Sequence, residues 1–86
     1  MQSKFLMWIY NASINYVHRQ GLAIRCTNVK LNQETDRYEL YFTYQAKEII
    51  EGFSRMDLEH AHRPEPIVKY LCNRANQQLV KGVYEV

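Results

Sequence analysis

The spacing of apolar residues along this chain runs from helical to alternating and back to helical. From about Ser3 to Gln20, Phe5, Leu6, Ile9, Ala12, Tyr16 and Val17 fall on one broad face at about 100° per residue, which predicts an amphipathic helix. Gly21 stands in the usual stop position. Leu22, Ile24 and Cys26 then alternate with Ala23 and Arg25, and the phase slips to Val29 and Leu31. That slip predicts a strand over 22–31 with a bulge near Thr27-Asn28. Asn32-Gln33-Glu34-Thr35-Asp36 reads as a turn.

The clearest strand follows over 37–45. Tyr38, Leu40, Phe42 and Tyr44 alternate with Glu39, Tyr41, Thr43 and Gln45. Ala46-Lys47 is then expected to turn the chain into a third strand, 48–53. Ala, Lys, Glu and Ile also tolerate a helix over 45–52, so both readings stand there. Ser54-Arg55-Met56-Asp57 has capping-box-like spacing and predicts a short helix or turn over 55–62, ended by Pro64 and Pro66. Pro66 suits the first position of a second long helix, 66–81. Ile67, Val68, Leu71, Cys72, Ala75 and Leu79 share its apolar face, with Lys69, Asn73, Asn76 and Gln77 opposite. Gly82 would cap this helix, and Val83-Tyr84-Glu85-Val86 could add a strand. The expected fold is α+β. A small antiparallel sheet of two to three strands packs on an N-terminal and a C-terminal helix, within one domain spanning 1–86.

The first helix carries a second pattern. Met7, Asn11, Ile14 and His18 lie opposite the core face at steps of four, three and four. This is the spacing of a seam against a second helix, with one polar residue inside it that can fix register. Scattered surface apolars would give the same spacing. Read as a seam, the four residues form a partner-binding face, for another protein or for a second copy of the chain.

The charge balance adds less. Eleven Lys and Arg against nine Asp and Glu give a net charge of +2, too small to imply a polyanionic partner. Residues 1–33 nevertheless hold Lys4, Arg19, Arg25 and Lys30 and no acid. With Arg37, Tyr41 and Lys47, assigned together to the outer face of the hairpin, they form the alternative reading, a nucleic-acid contact surface. Only one aromatic and also Glu39 lie on that hairpin face.

Motifs for chemistry are sparse. Cys26 and Cys72 form no C-x-x-C, both fall on core faces, and their pattern suits a reducing, cytoplasmic setting. His60-x-His62 has no third ligand at a convincing spacing, so no metal is expected. Asp57 with Glu59, and Glu48 with Glu51, read as solvated carboxylates. Glycines at 21, 52 and 82 cannot make a phosphate-binding loop. The apolar run Phe5 to Tyr10 is too short for a signal peptide or a membrane span, so residues 1–20 belong to the fold and the sequon at Asn11 is coincidental. No catalytic residue and no cofactor is assigned.

The order helix, three strands, helix resembles that of the double-stranded RNA-binding domain. That family places a Gly-rich stretch and a Lys-Lys-x-Ala-Lys-like run at the start of its last helix. Here the place reads Arg63-Pro64-Glu65-Pro66-Ile67-Val68-Lys69. The phosphate-binding lysines are missing, so the resemblance is one of element order and duplex-RNA binding does not carry over. The expected function is therefore a non-catalytic interaction module, regulatory or inhibitory, of the kind found among phage and mobile-element accessory proteins.

Overall fold

Helix α1 runs Lys4–Gln20 in the computed structural model, which describes residues 4–82. It ends where Gly21 takes φ +63°. The Gly21 N–H donates to the His18 carbonyl at 3.2 Å and the Leu22 N–H to the Val17 carbonyl at 3.0 Å. These two bonds are the Schellman stop that a glycine after the last turn allows.

Three antiparallel strands follow in the order β1-β2-β3, namely β1 Arg25–Asn32, β2 Arg37–Tyr44 and β3 Lys47–Ser54. Residues 22–24, expected in the first strand, precede it, although Ile24 is buried. The bulge falls where the phase slips, between Cys26 and Asn28. Asn28 Oδ1 accepts from the Val29 N–H at 2.9 Å, and the Thr27 hydroxyl donates to the Tyr41 carbonyl at 3.4 Å. The extra residue thus keeps its backbone neighbours satisfied.

Residues 47–54 are strand, which settles the choice between strand and helix there. The turn is Gln45-Ala46, one residue earlier than expected, and Gln45 takes φ +54°. A two-residue loop makes its flanking residues cross-strand partners on one face. Lys47 therefore shares the face of its partner Tyr44, and Glu51 shares that of Leu40. This corrects two expectations. Lys47 does not lie on the outer face with Tyr41, and Glu51 is not solvated but buried at 7% exposure. Its Oε2 lies 3.3 Å from Arg74 Nε, whose guanidinium reaches across from the last helix.

Two helices complete the chain, α2 Arg55–His60 and α3 Glu65–Leu79. Ser54 caps α2, accepting from the Asp57 N–H. Pro66 stands in the first turn of α3. The tail proposed as a further strand, 83–86, lies outside the described residues, as does Ser3 at the start of the first helix.

All three helices lie on the sheet face that carries Tyr38, Leu40 and Phe42. One cluster joins Ile9 of α1, Leu58 of α2, and Val68, Leu71, Cys72 and Ala75 of α3 to these strand residues. The layout is helix, three-stranded meander, two helices, as the periodicity predicts.

Candidate functional site

α1 lies between α3 on one flank and the edge strand β1 on the other, so its outward residues line two different depressions. Toward α3, Trp8, Ala12, Asn15 and Arg19 recur at helical spacing and face the start of α3 across a groove of about 570 Å³. The opposite wall is Arg63 before α3, then Glu65, Pro66 and Lys69 in its first two turns. Toward β1, Leu6, Met7 and Tyr10 face the bulge at Thr27 and Asn28 across a smaller depression of about 270 Å³.

α1 and α3 pack directly on each other, with Ser13 of α1 beside Cys72 of α3. Ser13, Cys72 and Ala75 are fully buried, and the Ser13 hydroxyl is returned to the Ile9 carbonyl at 2.9 Å. Tyr16 forms part of the floor. Its hydroxyl donates to Asn73 Oδ1 at 3.0 Å, and Lys69 Nζ lies 6.0 Å from its ring centre. Trp8 stands higher. Its ring meets Phe5 edge-to-face at 5.9 Å, and Phe5 rests on Tyr38 of the central strand at 5.4 Å. A chain of three aromatics therefore fixes the indole while leaving it 45% exposed.

The seam residues Met7, Asn11, Ile14 and His18 are all exposed, Met7 at 53% and Ile14 at 38%. They do not act as one stripe, however. Met7 belongs to the β1-side depression, whereas Asn11 lines the groove toward α3. Sequence reasoning missed Trp8, Arg63 and Lys69. The signal for Trp8 was available, since 8, 12, 15 and 19 form a helical stripe beside the core face.

The residues assigned to nucleic-acid contact are not gathered in one place. Arg25, Lys30, Arg37 and Tyr41 share the outer sheet face. Lys4 and Arg19 sit on α1, roughly 22 Å apart along its axis. Lys47 has the helix-side parity. Tyr41 is also engaged within the chain: Lys30 Nζ lies 5.1 Å above its ring, and its hydroxyl donates to Glu39 at 3.4 Å.

The remaining chemical candidates are placed as follows. His60 ends α2, His62 follows it, and both are exposed. Among the described residues no three His, Cys, Asp or Glu side chains are grouped to hold a metal. Cys26 and Cys72 are free and buried on either side of Ser13. Burial pushes the Cys26 thiol up to about 11 and the Cys72 thiol to about 12, the neighbouring Cys26 adding to the second. The Ser13 hydroxyl opposes both shifts, but burial outweighs it and both thiols stay neutral at physiological pH. Tyr38 donates to Glu59, and burial, then this carboxylate, raise its phenol.

No described helix is long and apolar enough to cross a membrane. In comparisons with protein families, curated proteins and solved structures, the chain matches no family model, no curated protein and no solved structure.

Proposed function

We propose that this chain is a non-catalytic binding module, regulatory or inhibitory in character, that holds a partner protein on the outer side of α1. It acts in the cytoplasm, where its two thiols remain reduced. The observation that carries this reading is the exposure of Met7, Trp8 and Ile14 within two turns of a helix whose other face seals the core. Large apolar side chains left exposed along one helix are what a protein interface uses, and Trp and Met are enriched at such interfaces. The dispersal of the basic residues over two layers weighs against the nucleic-acid alternative.

Affinity purification of the tagged chain from its own cells, with sedimentation of the purified protein, tests this. One defined partner should co-purify in fixed stoichiometry, and Met7→Glu combined with Ile14→Glu should abolish the complex. Both side chains are exposed, so the thermal midpoint should hold. A complex that survives the double substitution would overturn the reading. Self-association lost on the same substitution would identify a second copy as the partner.

A further inference from the structure

Resting on that reading, we infer that the α1–α3 groove receives a short, extended, acidic segment of the partner, with an apolar side chain set against Trp8. The groove volume of about 570 Å³ lies within the range of ligand sites, about 300–1,000 Å³. Its charge is one-sided. Arg19 comes from the last turn of α1, Arg63 from the loop before α3 and Lys69 from α3, against the single carboxylate of Glu65. The three cations belong to three separate segments and converge only in the fold. Between them lie the side-chain amides of Asn11 and Asn15, which can donate to and accept from an extended backbone. Trp8 and Pro66 offer apolar surface for one anchoring side chain.

These features favour an acidic peptide over a nucleic acid. Non-specific binding to a polyanion draws on a longer run of phosphate contacts than three cations supply. Glu65 would repel a closely spaced phosphate chain, whereas a peptide can place its carboxylates around it. Complementary charge of this kind raises the association rate and sets the register of the segment, and the Trp8 pocket slows its release.

Trp8 is the only tryptophan of the chain, so intrinsic fluorescence reports the groove directly. The experiment titrates the full chain with a short synthetic peptide of Asp and Glu around one Leu. A Lys-rich peptide of the same design and oligothymidylate run in parallel, all at low and at physiological salt. The acidic peptide should change Trp8 emission saturably and bind more weakly at the higher salt. Arg63→Glu with Lys69→Glu should weaken it at least tenfold, while Arg25→Glu with Lys30→Glu, the same change of charge on the outer sheet face, should leave it within about twofold. Circular dichroism confirms that each variant is folded.

An unchanged emission at both salts, an equal response to the Lys-rich peptide, or tighter binding of oligothymidylate would each overturn the inference. If a partner complex sensitive to Met7 and Ile14 persists in that case, the binding-module reading stands and only the groove's occupant is wrong. If no such complex exists, both fall together.

Discussion

Between about pH 9 and 11 the protein is expected to lose several kcal/mol of stability and to unfold cooperatively. In the folded chain the Cys26 thiol is pushed up to about 11 and the Cys72 thiol to about 12, from an ordinary value of 9.0. The sign follows from linkage. Below pH 9 the thiols are protonated in both states and contribute their full stability. Above it the unfolded chain releases protons that the folded core retains, so rising pH favours unfolding. Each thiol then costs about 1.4 kcal/mol per pH unit until its folded value is reached. Two thiols acting over this window approach the whole stability of a small domain, about 5–15 kcal/mol and toward the low end at this size. Tyr38, also raised, acts in the same direction. Urea unfolding followed across this pH range measures the slope. In Cys26→Ala with Cys72→Ala the slope should vanish below about pH 10 and fall above it to the part that Tyr38 supplies, although the neutral-pH stability falls. An unchanged slope in that variant would mean that the thiols are not buried as described.

Phe42→Ala should cost about 3–5 kcal/mol, enough to leave much of the protein unfolded at room temperature. Among the described residues Phe42 is the largest fully buried side chain. It sits in the central strand, opposite Cys26 on one side and Ile49 on the other, beneath the helix layer. The next residue gives the contrast. Tyr41 points to the outer sheet face, and Tyr41→Ala should cost no more than about 1 kcal/mol, mainly through its contact with Lys30. Denaturant midpoints of the two variants compare the faces directly. Similar losses from both would contradict a sheet covered on one side only.

The fold was legible in the sequence where a single segment carries its own pattern. The helical stripes placed α1 and α3 within a few residues, Gly21 announced the stop of α1, and the slip from Cys26 to Val29 located the bulge. What failed depended on pairing. Carrying the alternation of β2 straight through the turn puts Lys47 with Tyr41, whereas a two-residue loop makes Lys47 the same-face partner of Tyr44. Glu51 likewise falls opposite Leu40 on the covered face, where Arg74 of α3 meets it, and no pattern within one segment shows that pairing. The candidate site was legible only in part. Met7, Asn11, Ile14 and His18 are exposed as their spacing implies, but one helix cannot say what flanks it. The packing of α3 on one side and β1 on the other puts Met7 in one depression and Asn11 in the other. The groove itself could not be read from the chain, because Trp8, Arg19, Arg63 and Lys69 meet only after α1 and α3 pack on each other.

The central claim is that the outer side of α1 is the working surface. Site-specific photo-crosslinking in the protein's own cells tests it most directly, with a benzophenone side chain placed at Asn11 and, in a control, at the exposed Gln33 of the β1–β2 turn. The account predicts one discrete protein adduct from position 11 and none from position 33. Adducts of equal yield from both positions, or from position 33 alone, would contradict it.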